Sequence, residues 1–463
     1  MPIHVSTSDI KTGAWYDRCF REWSDGNVDL VTVEPEPSGD PELRKAIDTM
    51  LDSTNAYEPG DTAIIHTRLQ SVDMAGEAAF ALRDRGVTSN VVLGMVSLDE
   101  ELAQLLKAVY KTDDLAGADA SGLAGVMDGY RAFLEPIGRN GRGHWLLAYP
   151  ASKDPRPENT QAVNVFKKVA EKGLADVGAY REDGRIKSHD IWFYPTAIDV
   201  ERLNDGLPAN RQWTLEEWRN VIFKAMAVSA DELEHCAMNI DAVQLTIEAS
   251  LRGGTLRYRR DDGTDFTYRV EGRPVLLDCG KVGNNSLGGT TPQIARITNH
   301  PPTEAFCSPL EQSMNGTIVY MQPLLTPLGV IEAPYIIYVS GGRVLKVEAT
   351  DKTSEKILRE YTGLEPFDSK PFKNGDERDA FYMRGTVAEM AIAGFNPVTE
   401  PYIRAGRLRP VVGNLLIDEK AGDHQAFGSN DIFGGTTPSS YKGEHVEHTD
   451  FIGSIQRRLE LLR

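Results

Sequence analysis

The pattern of the chain changes near residue 250, and this change constrains the fold more than any other feature. Before it, a strand-like run, a helical segment over 73–85 and a second strand-like run follow one another. Two strands joined through a helix are typical of a parallel sheet. After it, short alternating runs are joined by turns such as Asp261-Asp262-Gly263, a strong hairpin signal. We therefore predict an α/β domain with a parallel sheet over 1–250 and a mixed, β-rich α+β domain over 251–463.

Composition and charge argue against two classes of partner. Of the 463 residues, 41% are hydrophobic and 25% are charged, proportions that are typical of a globular protein. The net charge of −18 would repel the phosphates of a nucleic acid. No apolar run is long enough to span a bilayer, and the first residues lack the basic and apolar segments of a secretion signal. We therefore expect a cytoplasmic protein that binds neither nucleic acid nor a membrane.

Local signals predict several helices and argue against one class of cofactor. Thr214 and Glu217 have the spacing of a capping box, so a helix should begin there. A longer helix is predicted over 229–250, interrupted near Met238, and a last helix over 455–462. The sequence contains neither a GxGxxG nor a Walker motif. A nucleotide cofactor is therefore not expected, despite the α/β pattern.

Histidines are concentrated near the C-terminal end. Of the nine in the chain, three are His424, His445 and His448. Alternate side chains of a β-strand point to the same face, so His448 and Asp450 could direct an imidazole and a carboxylate at one ion. His424 follows a strand-like run over 411–417 and could approach from a neighbouring strand. The alternative is that these are solvated loop histidines, because short His-x-Asp strings are common.

Two glutamates outside this segment could complete a metal site. Glu304 lies shortly before an Asn-Gly turn and a strand-like run. Glu389 is flanked by the apolar residues Ala388 and Met390. An ionised carboxylate among apolar neighbours is costly to bury unless a cation or hydrogen bonds stabilise it. The alternative is an amphipathic segment that presents Glu389 to water.

Short motifs spread over most of the chain resemble, in order, those of the two-metal aminopeptidases of the thermophilic aminopeptidase T and aminopeptidase S type. Each match is short, and the common order gives the set its specificity. The matching segments are Tyr57-Glu58-Pro59-Gly60-Asp61, Trp145 to Pro150, Gly263-Thr264-Asp265-Phe266-Thr267 with Gly272-Arg273, Thr303 to Pro309 with Ser313 to Ile318, Glu389 with Gly394-Phe395-Asn396-Pro397, and Asp418-Glu419-Lys420 with His424, Gly428 and His448-Thr449-Asp450.

This resemblance implies a set of metal ligands and a reaction. The residues at the family's ligand positions are Glu304, Glu389, His424, His448 and Asp450. Carboxylates and imidazoles suit Zn, Co or Mn, and one or two divalent ions per chain are expected. Such ions activate water and polarise a carbonyl, so we expect a metallohydrolase that cleaves an amide or peptide bond and is aminopeptidase-like. A small non-peptide amide is an alternative substrate, and the resemblance also implies a homodimer.

The chain departs from the family where catalysis would be completed. The family has a tyrosine seven residues after the histidine that matches His424, and this chain has Asp431 there. Tyr441 and His445 are the nearby candidates to replace that tyrosine, although both could instead lie in a solvated loop. Glu304 is the candidate to relay a proton. Thr303 stands where the family has glycine, and a polar segment over 364–377 is expected to form an exposed loop.

Two other functions compete with hydrolysis. The dihydroxypyridine ring-cleaving dioxygenases resemble this fold and hold one Fe(II) on two histidines and a carboxylate. They carry a histidine in place of Glu389 and lack the glutamate that corresponds to Glu304, so the presence of both glutamates favours a hydrolase. The other competitor is a binding protein that has kept the fold without catalytic activity.

Overall fold

The computed structural model describes the chain in segments. These are residues 2–23, 27–54, 56–94, 100–113, 120–150, 185–281, 286–287, 297–302, 304–326, 328–364, 372–410 and 420–462. The strand predicted over 411–417 lies outside the described residues, as do Thr303 and the motif residues Asp418 and Glu419.

The first part of the chain alternates strands with helices. Its elements are β1 (Ile3–Ser6), α1 (Thr7–Thr12), α2 (Ala14–Glu22), β2 (Val31–Glu34), α3 (Pro41–Thr54), β3 (Thr62–Thr67), α4 (Val72–Asp84), β4 (Thr88–Leu93), α5 (Glu100–Tyr110), α6 (Ala124–Asn140), β5 (Gly143–Pro150), β6 (Ile186–Tyr194), α7 (Ala197–Asn204), α8 (Leu215–Met226), α9 (Ala230–Met238) and α10 (Asp241–Arg252).

The second part is rich in strands. Its elements are β7 (Thr255–Arg259), β8 (Asp265–Tyr268), β9 (Val275–Asp278), β10 (Ser286–Leu287), β11 (Ile297–His300), β12 (Glu304–Cys307), β13 (Asn315–Tyr320), β14 (Leu324–Thr326), β15 (Gly329–Ile331), β16 (Tyr335–Ser340), β17 (Arg343–Ala349), α11 (Lys352–Tyr361), α12 (Gly375–Met383), β18 (Val387–Ala393), α13 (Glu400–Arg404), β19 (His424–Gly428), β20 (Ser440–Tyr441), β21 (Glu444–His445), β22 (His448–Ile452) and β23 (Arg458–Leu462).

Seven of the described strands form the first sheet, in the order β1-β2-β4-β3-β5-β6-β11. Each neighbouring pair is parallel except β2 and β4, which are antiparallel. The predicted strand–helix–strand unit is confirmed, since β3 and β4 pair in parallel and are joined by α4. The fold class is therefore the predicted one, with one antiparallel pair in the first sheet.

The predicted boundary at residue 250 falls close to the end of α10 at Arg252. The strand β11, over 297–300, nevertheless adds to the edge of the first sheet beside β6. The chain thus returns once to the first sheet after it has begun the second part. Division of the chain at 250 stays a prediction.

Two six-stranded antiparallel sheets make up most of the described second part, in the orders β10-β9-β12-β18-β19-β22 and β17-β16-β13-β8-β7-β23. One face of each sheet contributes to a common apolar core. The ring of Tyr320 on β13 lies 5.6 Å from that of Phe451 on β22, measured between centroids. Burial of these large side chains stabilises the contact between the sheets.

The helix predictions have mixed outcomes. Thr214 caps α8 by accepting a hydrogen bond from the backbone N–H of Glu217, whereas the Glu217 carboxylate binds Arg407 at 2.6 Å instead of reaching back. The predicted interruption near Met238 is confirmed, because α9 ends there and α10 begins at Asp241.

Two other predictions need correction. The final helix is wrong, since residues 458–462 form β23, which pairs with β7 and packs Leu459 and Leu461 against the core. The segment over 364–377 was predicted to form an exposed loop, but it includes the start of α12, which Asn374 caps.

None of the described helices is both long and apolar enough to cross a membrane.

Buried histidines are a feature of the described first sheet. His66 on β3 contacts the rings of Tyr130 and Trp145 and is fully buried. His144 on β5 lies 2.9 Å from a carboxylate oxygen of Asp61. Burial lowers the pKa of His66 to about 3. Burial likewise lowers the pKa of His144 to about 4, although the Asp61 carboxylate opposes the shift. Both imidazoles are therefore neutral in the folded protein near pH 7.

The neutral state of His66 predicts loss of stability in acid. Its folded pKa lies below the unfolded value of about 6.5, so the unfolded chain binds the extra proton as the pH falls. Stability should decrease below pH 6.5, by about 1.4 kcal/mol per pH unit for each such histidine. His66→Phe should lose less stability than the wild type between pH 7.5 and pH 5, as measured by urea unfolding. His235→Gln, on the surface of α9, should behave as wild type, and equal losses in all three proteins would contradict this account.

Candidate metal centre

Four neighbouring strands bring the five predicted ligands together. Glu304 begins β12, Glu389 lies on β18, His424 begins β19, and His448 and Asp450 lie on β22. These strands are adjacent in the order β12-β18-β19-β22. Residues separated by more than a hundred positions in the sequence therefore share one face of one sheet.

The alternation of side chains explains why this face is polar. Met390, Phe427 and Phe451 project into the core between the two antiparallel sheets. Neighbours in the chain point the opposite way, so Glu389 and Asp450 project from the other face. The predicted arrangement of His448 and Asp450 on one strand, with His424 on the adjacent strand, is confirmed by the β19–β22 pairing.

Glu389 lies at the centre of the cluster. Its Oε1 is 3.5 Å from Nε2 of His424, and its Oε2 is 3.2 Å from Nε2 of His448. The second neighbour of His448 is Asp450, with Nε2 and Oδ1 3.5 Å apart, and that of His424 is Glu304, with Nε2 and Oε2 3.6 Å apart. Each imidazole thus stands between two carboxylates, and Glu389 serves both.

These spacings fit a divalent ion. Two ligands about 2.1 Å from one tetrahedral ion lie roughly 3.4 Å apart. Glu389, His448 and Asp450 offer three ligand atoms that all lie within 4.8 Å of one another. Among the described residues, Oε2 of Glu304 is buried without a hydrogen-bond donor. The imidazole of His424 lies 3.6 Å from this oxygen, beyond hydrogen-bond distance, and a cation would satisfy the oxygen more fully. A candidate metal-binding site is therefore present on this face.

The charges of the cluster compensate one another. Burial opposes the charge on Glu389, but hydrogen bonds from His424 and His448 lower the pKa of its carboxyl. Burial also opposes the charge on His424, yet the carboxylates of Glu389 and Glu304 raise its pKa to about 10. Burial opposes the charge on Asp450 as well, but the charge of His448 outweighs this effect and lowers the pKa of Asp450 to about 2. The side chains of the cluster are thus held together by imidazolium–carboxylate pairs.

Lys420 is a buried component of the site to which the sequence prediction gave no role. Its ammonium nitrogen lies 2.5 Å from Oε1 of Glu304 and 3.4 Å from Oδ2 of Asp278. Burial raises the pKa of Glu304, and the charges of Lys420 and His424 oppose that rise. Lys420 therefore holds one oxygen of Glu304 and leaves the other facing His424. The sequence signal that could have identified Lys420 was its place in the motif Asp418-Glu419-Lys420.

The orientation of His448 is set by a loop. Its Nδ1 lies 2.7 Å from the backbone carbonyl oxygen of Ser429, an acceptor, so Nδ1 carries a hydrogen and donates it. The centroid of the Phe433 ring lies 4.9 Å from that of His448. Hydrogen bonding at one ring nitrogen and packing on the ring together aim Nε2 at Glu389 and Asp450. Metal-ligating histidines are commonly held in this way.

Asp431, at the position of the family tyrosine, binds its own loop. Its Oδ2 accepts hydrogen bonds from the backbone N–H and the hydroxyl of Ser439, at 3.0 and 3.1 Å. Tyr441 and His445 lie on the β20–β21 hairpin, where His445 is exposed. Within the described chain, no hydrogen bond or ion pair joins Tyr441 or His445 to the five candidate ligands. Their catalytic role stays a prediction.

Comparisons with known proteins give a likeness of fold. No family model and no curated protein matches the sequence. Wild-type AmpT from Thermus thermophilus is similar in structure, with a TM-score of 0.59 and 18% identity, over 91% of this chain and 95% of that one. The 2,5-dihydroxypyridine dioxygenase from Pseudomonas putida KT2440 gives a TM-score of 0.46 and 12% identity, over 90% of this chain and 93% of that one. The chain therefore has a two-domain fold like that of AmpT.

The raised pKa values of the two histidines predict that metal binding releases protons. In the ion-free site the carboxylates hold protons on His424 and His448, and a metal ligand must be unprotonated at the ligating nitrogen. We expect more than one proton to leave per chain at pH 7.5 when Zn²⁺ binds. Calorimetric titrations in buffers of different ionisation enthalpy measure this number. A heat that is independent of the buffer would contradict the description of His424 and His448 as protonated partners of carboxylates.

Proposed function

We propose that this protein is a metal-dependent hydrolase that cleaves an amide or peptide bond and is aminopeptidase-like. The observation that carries the proposal is the position of Glu389, whose two oxygens each face a different imidazole. A carboxylate placed in this way can bridge two ions or anchor one. The likeness of fold to AmpT, an aminopeptidase, supports the same reaction class.

The donor set indicates which ions would be held and what they would do. Glu389, His448 and Asp450 would hold one ion, and Glu304 and His424, with the shared Glu389, would hold a second. Oxygen and imidazole nitrogen ligands suit Zn, Co or Mn. When bound, such ions lower the pKa of a water molecule and polarise a carbonyl group.

The residues of the chain would fix the geometry and move the proton. Lys420 holds Oε1 of Glu304, so that Oε2 keeps one orientation toward the centre of the site. If Glu389, His448 and Asp450 held a single ion, Oε2 of Glu304 would be available to accept a proton and return it to the leaving amine. If the site held two ions, Glu304 would be a ligand. The number of ions per chain therefore decides the role of Glu304.

The substrate class follows from the proposed reaction. A peptide with a free amino terminus is our first candidate, and a small non-peptide amide is the second, because Asp431 replaces the tyrosine of the related enzymes. The homodimer implied by the family resemblance and the cytoplasmic location expected from the sequence are parts of the same proposal.

Removal of a ligand should remove both metal and activity. We expect one or two divalent ions per wild-type chain by elemental analysis, and loss of at least one ion in His448→Ala and Glu389→Gln. Hydrolysis of aminoacyl-p-nitroanilides should fall more than about 100-fold, because even the loss of an outer-shell partner costs about 10- to 100-fold.

Glu447→Gln is the matched control for these variants. Glu447 precedes His448 in the chain but forms an ion pair with Arg384 at 3.2 Å. This substitution removes an acidic charge next to the site without removing a candidate ligand. It should leave the metal content unchanged. Equal metal content in His448→Ala, Glu389→Gln and the wild type would contradict the proposed ligand set.

The hydrolase and the ring-cleaving dioxygenase make opposite predictions about oxygen. A hydrolase should release amine from an amide substrate at the same rate with or without O₂, because no step oxidises the substrate. We expect this result with the Zn-, Co- or Mn-loaded protein under nitrogen and in air. Consumption of O₂ with a dihydroxypyridine, dependent on reduced iron and without amide hydrolysis, would replace the proposal by the dioxygenase.

A further inference from the structure

The five candidate ligands differ in how open they are to solvent. The side chains of His448 and Asp450 are 22% and 31% exposed. Those of His424 and Glu304 are 3% and 5% exposed. Glu389 is buried and faces one imidazole of each pair. The cluster thus has an open end at His448 and Asp450 and a closed end at His424 and Glu304.

The open end has the more complete set of ligands. In the part of the chain that the structure describes, one set of three ligand atoms lies entirely within 4.8 Å, and it consists of Glu389, His448 and Asp450. Glu304 and His424 are not in this set. We therefore expect a first ion to bind at the open end, together with Glu389.

A buried ammonium group is fixed at the closed end. Asp278 on β9 and Glu304 on β12 are paired across the two strands, so their side chains lie on the same face of the sheet. The ammonium nitrogen of Lys420 contacts both, at 2.5 Å from Oε1 of Glu304 and 3.4 Å from Oδ2 of Asp278. Lys420 itself is only 7% exposed. A positive charge thus lies next to Glu304 without a metal.

A strand of the first sheet helps to hold this lysine in place. The hydroxyl of Thr298, on β11, donates to Oδ1 of Asp278 at 3.4 Å, and Oδ2 of Asp278 faces Lys420. β11 pairs with β6 at the edge of the first sheet. Withdrawal of the ammonium group would leave two buried carboxyl groups without their shared cation, which is costly. Lys420 is therefore held at the closed end from two sides.

Lys420 and an ion at the closed end would compete for one carboxylate. Because Lys420 binds Oε1 of Glu304, an ion would have only Oε2 of the same group. Two cations on one carboxylate repel each other, and a buried site screens this repulsion much less than water does. The closed end should therefore bind a divalent ion more weakly than the open end.

We propose that Lys420 makes the two ion positions unequal, with a tight position at the open end and a weak one at the closed end. This inference rests on the metal-binding part of the proposed function. A single ion is then bound at low metal concentration, and Glu304 stays paired with Lys420 and available for proton transfer. Occupancy of the weak position would turn Glu304 into a ligand.

The test counts bound zinc after dialysis against buffers that fix the concentration of free Zn²⁺. The wild type should bind its second ion at a free concentration about 10-fold or more above the first, or not at all, because of the repulsion from Lys420. Lys420→Met removes the charge, so the second ion should bind at a free concentration about 10-fold or more lower, with a smaller change for the first. Glu304→Gln should lose the second ion and keep the first.

Lys281→Met is the matched control. Lys281 also contacts two carboxylates, those of Asp231 and Glu234 at 2.6 and 2.9 Å, but both of these residues lie on α9, outside the candidate site. Its replacement should leave the binding of both ions unchanged. Thermal unfolding checks that each variant is folded. If Lys420→Met does not fold, Lys420→Met with Asp278→Asn removes the lysine together with its second partner and should still bind the second ion more tightly than the wild type.

Four results would overturn the proposal and leave the ligand set in place. They are equal affinity of the wild type for both ions, a second ion that binds no more tightly in the folded Lys420 variants, a shift of the same size in Lys281→Met, and a Glu304→Gln protein that loses the first ion or keeps the second. A wild-type protein that binds no zinc would instead overturn the ligand set, and with it the proposed function.

Discussion

The candidate site depends on the burial of acidic side chains on one face of a sheet. Glu304 and Glu389 are 4% and 5% exposed, and a carboxylate at such a position is strongly destabilised unless positive charge lies next to it. His424, His448 and Lys420 supply that charge from neighbouring positions. Protonated imidazoles and a divalent ion are alternative ways to meet the same requirement. The fold is therefore organised around the place where the proposed ion would bind.

The fold separates this polar face from the apolar core by the alternation of side chains along each strand. Phe451 and Phe427 pack between the two antiparallel sheets, and Asp450 and His424 project from the opposite face. A shift of one residue in the pairing would exchange the two sets of side chains. Because the aromatic core fixes the register of β19 and β22, it also fixes the positions of the candidate ligands. Packing on one face thus determines the chemistry available on the other.

From the sequence, the grouping of the five candidate side chains was predicted better than the contacts among elements that are far apart in the chain. His448 and Asp450 could be assigned to one face from their spacing, and the family resemblance added Glu304 and Glu389. Lys420, the partner of Glu304, was missed, because a lysine gives no local sign that it will be buried against a carboxylate. β23 was mistaken for a helix, since its strand character depends on pairing with β7, about two hundred residues earlier. The return of β11 to the first sheet was missed for the same reason.

The central proposal is that Glu389 binds a divalent ion together with His448 and Asp450. It is tested most directly by an anomalous difference map from crystals of the protein grown with Zn²⁺ and measured at the zinc absorption edge. The account predicts at least one peak about 2.0–2.2 Å from a carboxylate oxygen of Glu389 and from Nε2 of His448. A map with no peak at Glu389, from protein that contains stoichiometric zinc, would contradict it.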